Sequence, residues 1–288
     1  MTIKIVTDSS CDLGIDFVKK NNIEFIPLLL NLDGENIEDD LGKSLGYREF
    51  YDKLREGSMP STSQINIYTF EEKFRELLNE GYEILYVGLS SALSGTFNSA
   101  NMARNNILEE NPNAKISVVD SLSVSMGVGM LVKKSCDMIE EGKDLEYITT
   151  WIEENKNKVI HSILVDDLKH LKRGGRISAS TAAVGSLLNI KPILKIDNNG
   201  AVEATEKIKG KKKALKYLAT VVKEKAVNIK SETLYIMHGD ALEEAQALKD
   251  IILQELNFKE IKIQYIGTVI GSHGGPGTIA TIFWGNER

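Results

Sequence analysis

The sequence predicts an α/β protein of two domains, an N-terminal mainly parallel sheet with helices on both faces and a C-terminal mixed α+β domain. Three observations carry that expectation. Short apolar runs at residues 3–7, 84–89 and 116–119 each pass through a turn of small polar residues into a stretch of helical periodicity. Repeated strand–turn–helix units build parallel sheets covered on both faces. Past Gly142 the rhythm changes, and Asp197-Asn198-Asn199-Gly200 stands between two apolar runs. Asn-Gly tolerates positive φ, so this is a hairpin signal and implies antiparallel pairing in the second half. Finally, 288 residues suffice for two separate cores. The boundary falls between residues 155 and 162, giving domains 1–158 and 159–288.

Taken in order, residues 3–7 form the first strand, and Asp12 is the expected N-cap of a helix running through Lys20. Residues 23–32 read as a second strand, Asp33-Gly34 as a turn, and residues 47–56 as a short helix ended by Gly57. Residues 60–64 are a loop before a helix over 70–80, where Thr69 and Glu72 have capping-box spacing. A strand at 84–89 turns through 90–96 into a helix over 97–110, and a strand at 116–119 leads to a helix over 126–140. In the second half, helices are expected at 145–155, 167–171, 178–188, 211–225 and 242–256. Strands are expected at 159–165, 190–196, 201–208, 233–237, 261–266 and 278–284.

Composition narrows the function. A chain 42% apolar and 26% charged is an ordinary globular one. Its net charge of −6 argues against nucleic acid as a partner. Two cysteines cannot build a disulfide framework; Cys11 and Cys136 sit among apolar or small residues and are expected to be reduced, as in the cytosol. The first residues lack the basic-then-apolar layout of a signal peptide, and no stretch nears the ~20 apolar residues of a membrane span. The expectation is a soluble, cytoplasmic protein.

The turns at the C-terminal ends of the predicted strands share one chemistry. They read Thr7-Asp8-Ser9-Ser10, Ser90-Ser91-Ala92-Leu93-Ser94-Gly95-Thr96 and Asp120-Ser121-Leu122-Ser123. Open parallel sheets bind ligands at this edge, and hydroxyls with free N–H groups at a helix start favour an anion. Each turn alone reads first as a set of helix caps, and the concentration of Ser and Thr at 61–63 and 90–96 narrows that preference without reversing it. The segment Gly271-Ser272-His273-Gly274-Gly275-Pro276-Gly277 reads as a turn exposing backbone around an imidazole, suited to a carboxylate or phosphate, or as a tight loop with a solvated histidine. Residues 168–178 run a basic cluster into Gly174-Gly175, either an anion cradle or two abutting helix ends. Lys207, Lys209, Lys211, Lys212, Lys213 and Lys216 form either a solvated helix start or a docking surface for an acidic partner or anionic membrane.

Several signatures are missing from the sequence. It has no G-x-S-x-G elbow and no H-E-x-x-H. Gly42-Lys43-Ser44 ends like a P-loop, but Ile37 stands where glycine is required. Gly127-Val128-Gly129 starts a dinucleotide fingerprint, but Val132 replaces its third glycine. No metal-ligand spacing appears, and no cofactor is expected. A Ser94, His273 and Asp8 triad, making the chain an acyl hydrolase or transferase, is the alternative function; triads are defined by geometry rather than spacing.

The motifs taken together resemble the DegV family of bacterial fatty-acid-binding proteins. They are Thr7-Asp8-Ser9-Ser10-Cys11-Asp12-Leu13, Pro60-Ser61-Thr62-Ser63-Gln64, the turn 90–96, Asp120-Ser121, the segment 171–178, Leu188-Asn189-Ile190-Lys191-Pro192 and the segment 267–277, in family order over nearly the whole chain. The resemblance implies a non-enzymatic carrier with a long-chain fatty acid in an apolar tunnel between its two domains. It implies that the carboxylate meets Thr62, Ser94 and His273, with Arg173 as a nearby basic residue orienting the histidine or the carboxylate. It also implies a separate partner, a fatty acid kinase of the dihydroxyacetone-kinase type, which uses ATP to make an acyl phosphate for phospholipid synthesis. Lys207, Lys209 and Lys211 are then the candidate kinase-docking residues, and transient contact with a membrane surface is a further expectation.

Overall fold

The computed structural model of the chain describes residues 2–177 and 189–288. The helix expected at 178–188 lies outside the described residues. The first half runs β1 (Thr2–Asp8), a 3-10 turn (Ser9–Cys11), α1 (Ile15–Lys20), β2 (Glu24–Ile26), β3 (Leu29–Leu32), β4 (Glu35–Glu38), α2 (Tyr47–Arg55), β5 (Ser61–Ser63) and α3 (Ile67–Asn79). It continues with β6 (Tyr82–Gly88), α4 (Thr96–Glu110), β7 (Ile116–Asp120), α5 (Met126–Glu140) and α6 (Leu145–Asn155). The second half runs β8 (Val159–Leu164), α7 (Lys169–Gly174), β9 (Ile190–Ile196), β10 (Val202–Lys209), α8 (Lys211–Lys225), β11 (Thr233–His238), α9 (Leu242–Leu253), β12 (Glu260–Tyr265), α10 (Thr268–Gly274) and β13 (Ile279–Trp284).

The expected fold class is found. A wholly parallel sheet has the order β2-β1-β6-β7, and a second sheet has the order β10-β9-β8-β13-β11-β12. The second sheet is mixed: β11 and β12 run parallel while its other neighbours are antiparallel. Its β9–β10 hairpin closes as a tight loop in which Gly200 alone takes positive φ, at 82°. The Asp197 carboxylate accepts the N–H groups of Asn199 and Ala201, fixing the turn before glycine reverses the chain.

Four local expectations are corrected. Residues 23–32 are not one strand: Pro27 interrupts them, leaving β2 in the parallel sheet and β3 in a small antiparallel sheet ordered β4-β3-β5. Residues 61–63 are not loop but β5, paired with β3 so that Leu30 faces Thr62. Asn66, not Thr69, caps α3; its side chain accepts the Thr69 N–H at 2.9 Å, which puts Thr69 inside the first turn. Asp12 does not cap α1, which begins at Ile15 after Gly14. Asp12 lies in a left-handed conformation and directs its carboxyl group to partners far along the chain.

One apolar core joins the two sheets through α5. Leu85, Val87 and Val119 of the parallel sheet, Val128, Leu131 and Val132 of α5, and Tyr235, Met237 and Ile282 of the second sheet belong to a single buried cluster. The N-terminal half of α5 is buried all round, which explains its unbroken run of apolar and small residues. Trp151 of α6 meets Trp284 of β13 edge to face, with ring centroids 5.9 Å apart, adding an aromatic contact across the same junction. Leu131→Ala should therefore cost about 2–5 kcal/mol and lower one shared transition, followed by circular dichroism and tryptophan fluorescence. Separate melting of two halves, with only one shifted, contradicts a common core.

Candidate binding site

An apolar cavity opens between the two sheets. Leu28, Leu89 and Val124 from the first half face Ile163, Leu194 and Ile282 from the second. Its polar lining residues include Thr62, Ser94, Arg176 and His273, together with Gln64, Ser125 and His161. The first four are the group of interest.

Local structure explains how the first group is presented. In β5 the exposure pattern alternates, so Thr62 turns inward between exposed Ser61 and Ser63. Ser94 sits in the turn that opens α4, where free N–H groups and the helix dipole favour negative charge. Its hydroxyl lies 2.9 Å from Thr96 Oγ1, and Thr96 Oγ1 accepts the Ile65 N–H at 3.3 Å, tying this turn to the segment after β5. His273 lies in the last turn of α10. The segment read as an open turn around it is thus helical through Gly274, because tertiary packing of buried Thr268, Val269, Gly271 and Ser272 outweighs glycine's weak helix preference.

Thr62 Oγ1 and His273 Nε2 are 2.9 Å apart, a hydrogen bond between residues 211 positions apart in sequence. The other imidazole nitrogen, Nδ1, is buried against Gly174 and has no hydrogen-bond partner among the described residues. A side chain on residue 174 would collide with the ring, so glycine there is what permits the approach. Burial, then the charges of Arg176 and Arg173 and the nearby His170, pull the His273 pKa down to about 4. The imidazole is neutral near pH 7. With Nε2 protonated it donates to Thr62 Oγ1 and leaves the threonine hydroxyl hydrogen free for an anionic ligand.

The three residues carried over by resemblance, Thr62, Ser94 and His273, therefore border one cavity, two of them in direct contact. Arg173 does not line the cavity; its guanidinium reaches His170 Nδ1 at 3.3 Å on the exposed side of α7, near enough for its charge to act on His273. Arg176 is the arginine that lines the cavity, with Nε donating to Leu93 O at 3.1 Å beside Ser94. Sequence reasoning missed it, although left-handed Gly175 directly before it marks where the chain turns back. His161 was also missed. It is a buried histidine on β8 whose Nε2 is 3.2 Å from Val124 O, and burial holds its pKa down near 3.

The three residues of the alternative triad take other hydrogen-bond partners. Asp8 is buried among Ser10, Tyr86 and the Leu89 N–H; His273 bonds Thr62, and Ser94 bonds Thr96. No base–nucleophile pair joins Ser94 to His273 among the described residues. The lysine run lies away from the cavity. Lys207 and Lys209 are exposed on the edge strand β10, whereas Lys211 is paired with Glu244 at 2.8 Å and Asp166 at 3.6 Å. Cys11 and Cys136 are both free and buried. Among the described residues no helix is long and apolar enough to cross a membrane, and no cluster of potential metal ligands occurs.

Fold and site together define an α/β protein with an apolar cavity between its two larger sheets and polar, arginine-bearing lining at that cavity. The family model described as "Uncharacterised protein, DegV family" matches residues 2–285, and the chain belongs to the DegV family. A DegV domain-containing protein of Clostridium perfringens is 45% identical over 284 residues, covering 99% of this chain and 98% of its own. A fatty-acid-binding DegV family protein from Thermus thermophilus superposes with a TM-score of 0.89 at 33% identity, covering 99% of this chain and 100% of its own. A DegV family protein from Eubacterium eligens, loaded with heptadecanoic acid, superposes with a TM-score of 0.84 at 27% identity, with 99% and 100% covered.

The His273 environment has a measurable consequence. Because folding lowers this pKa from 6.5 to about 4, the neutral ring contributes stability that is full above 6.5 and is lost as pH falls through 4. Imidazole NMR of ligand-free protein should place the His273 midpoint near 4. A midpoint near the ordinary 6.5 contradicts the buried, arginine-flanked site.

Proposed function

We propose that this chain is a carrier that holds a long-chain fatty acid in the cavity, with its carboxylate against Thr62, Ser94 and His273. The observation that supports this most is the composition of the cavity wall, mostly aliphatic side chains with hydroxyls, a neutral imidazole and Arg176 among its few polar groups. A carboxylate beside hydrocarbon needs such partners, since an unpaired buried charge is costly. Each buried CH₂ of the tail contributes ~0.8 kcal/mol, so the tail supplies most of the affinity and the head group sets direction. The fatty-acid-bound relatives share this architecture over their whole length. On this reading the ligand sits between domains 1–158 and 159–288, and Arg176 takes the basic role that the family resemblance gave to Arg173.

The carrier presents the carboxylate to a separate kinase of the dihydroxyacetone-kinase type, which forms an acyl phosphate for phospholipid synthesis. Exposed Lys207 and Lys209 are the docking residues, with the partly neutralised Lys211 beside them, and they also fit transient contact with an anionic membrane surface. The setting is cytoplasmic, in keeping with two free buried thiols.

Mass spectrometry of the denatured, purified protein should release a long-chain fatty acid. Ser94→Ala should weaken fatty-acid binding about tenfold or more, the loss of one hydrogen bond to a charged group worth roughly 1.5–3 kcal/mol, while leaving the melting temperature near that of the wild type. A ligand-free preparation that also takes up no oleate or palmitate would sink the carrier reading.

A further inference from the structure

One buried carboxyl group touches both walls of the cavity without facing the ligand. Asp12 follows the first strand in a left-handed conformation, φ 50°, and is 6% exposed. Its Oδ1 accepts the Gly267 N–H at 3.0 Å, immediately before α10, the helix that carries Val269, Ile270 and His273 into the cavity. Its Oδ2 bonds the hydroxyl of Ser125, immediately before α5. Ser125 lines the cavity and has φ 53° and ψ −141°, a backbone region that a residue with a Cβ occupies only when its surroundings hold it there.

The surroundings of Asp12 are acidic. The titratable groups around it are Asp8 at the end of β1, Cys11 on the 3-10 turn, Asp39 with its neighbour Asp40 after β4, and Tyr47 and Tyr51 of α2. None of these groups is a cation. Asp39 is itself 4% exposed, and its Oδ2 has no hydrogen-bond partner among the described residues, so a second buried acid stands beside the first. Among the described residues an ionised pair here has no counter-ion, whereas a neutral Asp12 can donate its proton to Ser125 Oγ and still accept from Gly267.

We propose that Asp12 is a positioning residue that holds the two cavity walls together while protonated, so that the grip on the ligand loosens as pH rises. For its ligand this rests on the carrier reading above. Burial, aided by Asp39 and Asp8, pushes the Asp12 pKa up to about 8, and Asp39 is pushed up to about 6. The sign is opposite to that of a salt-bridged carboxylate. With a folded pKa above the ordinary 3.8, the stability held by the neutral group is full below 3.8 and is lost as pH rises through 8. His273, with its pKa near 4, is neutral in the upper part of that window, where Asp12 ionises.

The test is a pair of profiles from about pH 6.5 to about 9, the Kd for the fluorescent fatty acid cis-parinaric acid and the melting temperature, on wild type and variants. Asp12→Asn keeps both hydrogen bonds, with its amide donating to Ser125, but cannot ionise. Wild type should bind up to about tenfold more weakly at pH 9 than at pH 7, with a falling melting temperature. Asp12→Asn should be flat in both measurements, and Asp12→Ala should be weakened at every pH. Asp39→Asn removes the neighbouring charge and should move the Asp12 step to lower pH. A flat wild-type profile, or an Asp12→Asn profile that follows the wild type, overturns the proposal. If cis-parinaric acid binds at no pH the carrier reading fails, while the melting profiles still decide the role of Asp12.

Discussion

The constraint on which the structure turns is that polar groups facing an apolar cavity must find partners there, and those partners come from opposite ends of the chain. Thr62 Oγ1 and His273 Nε2 satisfy each other at 2.9 Å. This contact fixes β5 against α10 and brings a strand of the first half to a helix of the second. Ser94 is held by Thr96, Thr96 by the Ile65 N–H, and Arg176 by the Leu93 carbonyl beside it. The polar groups at the cavity are therefore each held by a hydrogen bond to another part of the protein. Such preorganisation lowers the ordering cost of binding.

The two sheets are kept at cavity distance by α5. Its buried N-terminal half fills the junction where Leu85, Val87, Tyr235 and Met237 belong to one core. Beyond that helix the sheets part, and the walls are aliphatic: Leu194 and Ile196 of β9, Ala280 and Ile282 of β13. An apolar slot with a few polar lining groups matches an amphiphile with one anionic head and a long tail. A nucleotide or sugar would leave many hydrogen-bonding groups facing aliphatic walls.

Much of this was legible in the sequence, and the exceptions share a cause. Strand–turn–helix units at β1, β6 and β7 and the Asn-Gly hairpin between β9 and β10 are set by local periodicity and turn chemistry, and both sheets follow from them. That Thr62, Ser94 and His273 border one cavity accords with the motif resemblance, each lying in a short run of small residues shaped by its neighbours. What sequence reading missed depends on long-range packing. Pro27 divides one apolar run between two sheets, and buried neighbours make a helix of glycine-rich residues around His273. Arg176 and Arg173 are three positions apart in a basic cluster, and only the fold turns one toward the cavity and the other toward His170. Asp12, which looks like a helix cap, has its partners 113 and 255 residues away.

The central claim, that a fatty acid lies along this cavity with its head at Thr62, Ser94 and His273, is tested most directly by a crystal structure with an ω-brominated fatty acid. Anomalous scattering locates the tail end independently of the fit of the chain. The account predicts carboxylate density within hydrogen-bonding distance of Thr62 and Ser94 and a bromine peak deep between the sheets, away from Arg176. A bromine peak beside Arg176, or one outside the cavity, contradicts it.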